Sequence, residues 1–338
     1  MIYDVITIGD CMKDTFLFPS LTEMEKPIEG EKMDSSGNHA KYEEYLVFGL
    51  GDKITIEEAD YAVGGTAANV AAGLAKLGFK TGLVSAFGSD TTGEELKKHM
   101  ESVKVNISFS KVYRGKKSSF SVVVSYKGER TIFVYHAFGP EVFKLPEVGS
   151  TWLYLGPMRA GFEKLFDQIV AEKVKHDLKI AINPGNSQIE AGLKSFGGLL
   201  KLINIIFLNR EEARKLAGLP GIPTVKDMAK VIHLSGPQTV VITDGKEGAY
   251  AYDGTDFLKV GSFPGHRLEA TGAGDAFASG YLSATINGES TQTALKWGVI
   301  NGAAAIGKVG AQEGLLGKNT IQRRAKEYRW PTDTLRFS

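Results

Sequence analysis

One cysteine, Cys11, stands in 338 residues, so no internal disulfide can form. The six histidines are scattered without ligand-like spacing, which argues against structural zinc. Lys plus Arg number 40 and Asp plus Glu 39, a formal net charge of +1 that gives no electrostatic case for nucleic acid or an anionic membrane. The start, Met1 to Asp10, has neither a basic n-region nor a long apolar run; no signal peptide or membrane span is expected, and a cytoplasmic location follows by default. Two familiar nucleotide signatures are also missing. Gly317-Lys318 is followed by Asn319, with Gln312 where a P-loop needs its first Gly, and no G-x-G-x-x-G opens a helix after a strand.

What remains is an ordinary globular composition, 43% hydrophobic and 23% charged, sufficient for one large α/β domain or two smaller ones. Tyr3 to Ile8 reads as a buried strand ending at Gly9-Asp10. Residues 19–52 are Gly-rich and charged without a helical period, a partly ordered insertion before an expected strand from Lys53 to Ala62. Thr81 to Phe87 and Thr92 to Val103 fit a strand and an amphipathic helix. Between about Ile107 and Tyr135, two β-rich runs flank Lys127-Gly128-Glu129-Arg130 as a hairpin. From Thr151 the alternation resumes: strands Thr151 to Leu155, Lys179 to Asn183, Ile203 to Leu208 and Thr239 to Thr243, with helices from Phe162, before Lys201 and from Arg210 to Ala217. Such repetition implies a mainly parallel sheet covered on both faces, and the separate β-rich stretches imply a small sheet that closes over a substrate.

Residues 268–282 carry the strongest chemical signal. Thr271 is expected to cap a helix, Gly272, Ala273 and Gly274 leave its backbone uncovered, and Asp275 falls in its first turn. Unpartnered N–H groups and the macrodipole favour phosphate there, yet a carboxylate would repel it. A reaction that needs both resolves the conflict: the Asp takes a proton from a hydroxyl as that oxygen attacks phosphorus. An ordinary helix start with Asp as dipole partner is the competing reading.

Other stretches sit where strands should end. Asp10 and Asp14 follow the first strand, as site residues or as solvated loop acids. Gly64-Gly65-Thr66-Ala67-Ala68-Asn69 opens a helix of small residues that permits close packing; Asn69 is a poor interior helix residue whose amide suits sugar hydroxyls. Asn209 and Glu212 could organise phosphate and a Mg²⁺-bound water, or form an N-cap with Glu at N3. Thr243-Asp244-Gly245 with Gly248 is a turn suited to a nucleotide, or a plain αβ turn. Asn183 ends its own strand, and Arg159 either approaches an acidic substrate or lies on the surface.

The two Gly-rich motifs, Gly64 to Asn69 and Thr271-Gly272-Ala273-Gly274-Asp275-Ala276-Phe277, together resemble the paired signatures of ribokinase-like (PfkB) carbohydrate kinases. The resemblance spans nearly the whole chain: Asn209 to Glu212 is similar to the family's N-x-x-E element, Thr243 to Gly248 to its nucleotide turn, and Asn301-Gly302-Ala303-Ala304-Ala305 to its adenine-side helix. It implies a three-layer α/β/α ribokinase-like fold over 1–338, a mainly parallel central sheet, and a small β-sheet lid from about 12–63 and 107–137. It implies transfer of the ATP γ-phosphoryl group to a sugar-like hydroxyl, with Asp275 as base and Gly272, Ala273 and Gly274 as anion hole. By this resemblance Asp10, Asp14, Gly65 and Asn69 would hold the substrate hydroxyls; Gly64 and Arg159 are further substrate-side candidates from their positions. Asn209, Glu212, Thr243, Gly245, Gly248 and Asn301 would serve ATP and Mg²⁺, with Asn183 at its strand end a further cofactor-side candidate, and the lid implies a homodimer. Thr66 replaces the Lys of ribokinases proper, which counts against ribose. Glu269-Ala270-Thr271 replaces the common Asp-Thr-Thr, so K⁺ dependence at Glu269 stays open. A sugar kinase is the favoured reading; a nucleoside kinase and a non-catalytic metabolite-binding regulator are the alternatives.

Overall fold

The computed structural model describes residues 2–20, 28–33, 39–45, 47, 49–126, 129–147, 149–175, 177–265, 268 and 271–330. Glu269, the monovalent-cation candidate, lies outside them, as does much of the insertion at 19–52.

An eight-stranded sheet carries the larger unit, residues 1–14, 62–121 and 134–338. Its strands in spatial order are Phe257–Val260, Ala249–Tyr252, Thr239–Thr243, Ile205–Asn209, Lys179–Ile182, Ser150–Leu155, Tyr3–Ile8 and Thr81–Val84. The last six pair in parallel, and the first two add antiparallel. Those two short strands were not expected from the sequence; Ala-Tyr-Ala-Tyr and Phe-Leu-Lys-Val read as neither a buried run nor a long strand. Nine helices are formed among the described residues: α1 Thr66–Lys76, α2 Thr91–Ser102, α3 Glu163–Lys175, α4 Asn186–Ala191, α5 Arg210–Ala217, α6 Val225–Leu234, α7 Ala273–Ile286, α8 Thr291–Ala305 and α9 Lys318–Glu327. None is long and apolar enough to cross a membrane.

Strand periodicity separates two cores. Ile6, Ile8, Leu153, Leu155, Ile206 and Leu208 face one layer with Phe166, Leu216 and Ile232 of α3, α5 and α6. Val5, Trp152, Tyr154, Ile205 and Phe207 face the other, with Val70 of α1 and Phe277, Tyr281 and Ile300 of α7 and α8. Both faces of the sheet are therefore buried, which explains the continuous β-branched runs of its strands. Because the central strands are parallel, Asp10, Asn183, Asn209 and Thr243 all come out at one edge, beyond or at the strands' carboxyl ends.

A four-stranded sheet joins Glu129–Tyr135, Phe120–Tyr126, Met12–Pro19 and Ile56–Gly64 in that order. The smaller unit, residues 15–61 and 122–133, also contains an antiparallel hairpin of Ile28–Met33 and His39–Tyr45, with a register shift between Glu31 and Met33. Within that unit Ile56, Tyr61, Ile132 and Phe133 are exposed apolar side chains.

Candidate active site

The start of α7 corrects the expected cap. Gly272, not Thr271, is the N-cap; its φ of 77° is left-handed and it supplies no side-chain acceptor. A Cβ at Gly272 would lie 2.2 Å from the Cβ of Ala311, so glycine is required for both reasons. The first helical bond runs from Ala276 N–H to the Gly272 carbonyl at 2.9 Å, which leaves the preceding N–H groups without helical partners. Gly274 is exposed and nothing lies within 4 Å of where its side chain would be. From Ala276 to Ala284 every residue of α7 is buried, so the uncovered backbone is confined to the helix start.

Asp275 is partly buried there. Its Oδ2 accepts a 2.7 Å hydrogen bond from Nδ2 of Asn69, and the Thr66 hydroxyl also bonds its carboxylate. Loss of hydration raises its pKa to about 6, against the opposing pull of those two donors. Thr66 enters the site through this bond, whereas in the sequence it stands out only as a departure from ribokinases. Asn69, expected on substrate hydroxyls, is buried, and its other amide atom, Oδ1, accepts from Nε2 of Gln312 at 2.9 Å.

The Gly64-Gly65 pair has a steric explanation. A Cβ on Gly64 would fall 1.8 Å from Oδ2 of Asp14, and one on Gly65, whose φ is 93°, 2.4 Å from the carbonyl oxygen of Asp10. The pair lets the chain of Asp10 and Asp14 pass directly over the start of α1. Asp14 is buried and accepts from the Ser121 hydroxyl at 2.6 Å. Asp10 pairs with Nδ1 of His136 at 2.7 Å, a partner that no motif around residue 136 announced. Arg159 is exposed.

A cavity of about 400 Å³ opens beside the α7 start, lined by Thr243, Gly245, Gly248, Ala273 and Gly274. Phe263, Pro264, Val299 and Ile306 form its apolar walls. This combination of flat apolar surface and open backbone suits a base and its phosphates better than a compact polar ligand. Gly302 and Ala303 of α8 line the cavity, but Asn301 does not. Asn301 is fully buried, donates to the Ala276 carbonyl at 2.8 Å and accepts from Leu316 N–H at 3.0 Å. Its amide thus ties α8 to α7 and to the loop before α9.

Asn183, Asn209 and Glu212 stand at the neighbouring strand ends. Asn183 donates to the Phe207 carbonyl at 3.1 Å. Asn209 and Glu212 form a reciprocal capping box: Oδ1 of Asn209 accepts from Glu212 N–H, and Oε2 of Glu212 from Asn209 N–H, both at 2.8 Å. Burial raises the Glu212 pKa, with Glu211 and Asp275 adding repulsion. Beneath them Tyr154 is fully buried, and its hydroxyl has no hydrogen-bond partner among the described residues. Burial and the fields of Asp275 and Glu212 hold that hydroxyl well above the usual tyrosine range.

Comparison with known proteins places the chain in a family. The profile of the pfkB family carbohydrate kinases matches residues 32–157 and 171–317. A ribokinase of Haemophilus influenzae is 27% identical over 277 residues, 78% of this chain and 88% of its own length. A cytidine kinase of Thermococcus kodakarensis is 26% identical over 261 residues, 75% and 89% of the two chains. The structure of Arabidopsis thaliana ribokinase complexed with ribose and ATP superposes with a TM-score of 0.75 at 18% identity, covering 97% of this chain and 100% of that one. With the family profile matching well over half of its length, the chain belongs to the pfkB family of carbohydrate kinases, phosphotransferases that use an alcohol group as acceptor.

Proposed function

We propose that this chain transfers the γ-phosphoryl group of ATP to a hydroxyl of a sugar or sugar-like substrate, with Asp275 as general base. The observation that carries the reading is a carboxylate with a pKa of about 6 at an uncapped helix start beside an apolar cavity. A base poised near neutral pH can take the acceptor proton in the transition state and is still ionised at pH 7. The N–H groups from Ala273 onward point toward developing charge on the phosphoryl oxygens, where a fixed dipole needs no reorganisation. ATP fits the cavity with its base against Phe263, Val299 and Ile306 and its phosphates toward Gly274. Asp10 and Asp14 hold acceptor hydroxyls across the Gly64-Gly65 turn.

Among the described residues no three His, Cys, Asp or Glu side chains cluster as a metal cage. The half-buried Glu212, with one oxygen committed to its helix cap, and the unpartnered Tyr154 hydroxyl instead fit a hydrated Mg²⁺, which retains most of its water. Mg²⁺ held there through water by Glu212 would neutralise phosphate charge. Monovalent-cation dependence at Glu269 belongs to the same proposal.

Sugar is favoured over nucleoside by strand alternation. Ser121 bonds Asp14, so the adjacent Phe120, packed at a tilt on Tyr135 with centroids 5.3 Å apart, points from the opposite face of its strand, away from Asp14. The exposed Ile56, Tyr61, Ile132 and Phe133 support a homodimer through the smaller unit, testable by light scattering. The functional test is ADP release from MgATP with hexoses, pentoses, keto-sugar acids, sugar phosphates and nucleosides, each with and without K⁺. Turnover on sugars supports the reading and turnover on nucleosides alone replaces it. ATP binding without turnover on any acceptor favours a regulator.

A further inference from the structure

The amide of Asn69 does not stand alone. His99 Nε2 and Gln312 Oε1 are 2.9 Å apart, Gln312 Nε2 lies 2.9 Å from Asn69 Oδ1, and Asn69 Nδ2 lies 2.7 Å from Asp275 Oδ2. Gln312 and Asn69 are both buried, whereas His99, on α2, is partly exposed. Four side chains from four separate segments thus form one line that ends on the base.

The direction of this line is fixed by chemistry at both ends. Gln312 Nε2 also approaches the carbonyl oxygen of Val63, at 3.4 Å, and a carbonyl can only accept. That face of Gln312 must be its NH₂ group, so its oxygen faces His99, which donates from Nε2 whether neutral in that tautomer or protonated. At the other end an ionised carboxylate can only accept, so Asn69 must present its NH₂ to Asp275 and its oxygen to Gln312. The two constraints agree. Every bond donates toward Asp275, and the alternative orientation of either amide would set oxygen against oxygen. Ala311, next to Gln312, is the residue packed on Gly272, so one short loop both covers the helix start and holds the amide chain.

We propose that Gln312 and His99 are positioning residues of the kinase, which lock the Asn69 amide so that its NH₂ faces the base. The proposal rests on the reading of Asp275 as that base. Donation to the carboxylate favours its ionised form, opposing the rise caused by burial. Glu212 and Tyr154 are the other titratable groups coupled to Asp275 electrostatically, and neither is altered by changes at 99 or 312.

Gln312→Glu tests this with almost no change of volume. The introduced carboxylate accepts where the amide of Gln312 donates, which turns the Asn69 oxygen toward Asp275 or breaks the chain. The expected result is a kcat about twofold lower at pH 7 and about tenfold lower near pH 5, recovery to wild type near pH 9, an acid limb moved up by about one unit and an unchanged KM for ATP. The same shift should appear in the carboxyl ¹³C titration of Asp275, assigned by its absence from Asp275→Asn; this readout does not depend on turnover. His99→Gln, which keeps a donor, should behave as wild type, and His99→Phe should move the limb in the direction of Gln312→Glu. An unmoved titration, or a loss of equal size at every pH, overturns the positioning role. If Gln312→Glu does not fold, Gln312→Met and the His99 pair carry the test by the same criterion. Retained turnover in Asp275→Asn would instead remove the base assignment, an outcome separable from a null shift at Gln312.

Discussion

Helices α5 and α7 start alike in sequence and differently in structure. Each carries an acidic residue at the third helical position, Glu212 in one and Asp275 in the other. In α5 the residue before the helix is Asn209, whose side chain completes a capping box, so the carboxylate serves its own backbone. In α7 that place is taken by Gly272 in a left-handed conformation, and no box can form. Asp275 is bonded instead by Thr66 and Asn69 of α1, and the helix N–H groups stay unsatisfied. An acid that caps its helix stabilises it; an acid denied that role and desolvated is left with a raised pKa, the property the proposed general base requires. Helix α6 repeats the first pattern, with Thr224 and Asp227 boxed and the Asp227 pKa lowered by the Thr224 hydroxyl.

The contrast can be broken most severely at Asp275. Asp275→Asn keeps the size and the contact to Asn69, and should lower kcat by about 10² or more while ATP binding by calorimetry stays within about twofold. Wild-type turnover would sink the distinction between the two helix starts. Next in size is Gly272→Ala, which places a Cβ against Ala311 and strains a φ of 77°. It should destabilise the protein by about 2 kcal/mol in urea titration and reduce turnover about tenfold, because the N–H groups move.

The third effect is in pH. With a folded pKa of about 6, Asp275 in the proposed role of base would have to be ionised, so kcat should fall below about pH 6. Its folded pKa lies above the ordinary 3.8, so the native state holds the proton more tightly. The stability this contributes is present below the unfolded value and lost as pH rises through about 6. Asp275→Asn should therefore gain in Tm relative to wild type as pH rises from 4 to 6, and the gap should level off above.

Smaller changes separate capping from chemistry. Glu212→Gln retains an oxygen for the cap and should leave Tm nearly unchanged, while raising the apparent Mg²⁺ requirement about tenfold. Thr224→Ala should cost about 1 kcal/mol at the α6 start with kcat untouched. A similar Mg²⁺ effect from Thr224→Ala would show that stability alone explains both.

Much of the larger unit could be read without coordinates. Tyr3–Ile8, Thr239–Thr243 and Arg210–Ala217 have the bounds the sequence implied, since strands buried on both faces leave uninterrupted apolar runs and α5 carries its own cap. Ala249–Tyr252 and Phe257–Val260 carry no clear sequence signal because strands of four residues leave too short a pattern. At the site, the Gly64-Gly65 and Gly272-Gly274 motifs were visible as open backbone. Thr66, His136 and Gln312 were not, because each acts through a partner distant in the chain: 126 positions separate Asp10 from His136 and 243 separate Asn69 from Gln312.

By itself the sequence determined that a helix would start near residue 272 with bare backbone and an acid one turn in, because φ freedom, side-chain size and N-terminal charge preference are local properties. Whether that acid would cap its helix or turn toward another was decided only by tertiary structure. The answer depended on α1 bringing Asn69 within 2.7 Å and on burial raising the carboxyl to about 6, and both arise from packing between segments 206 residues apart.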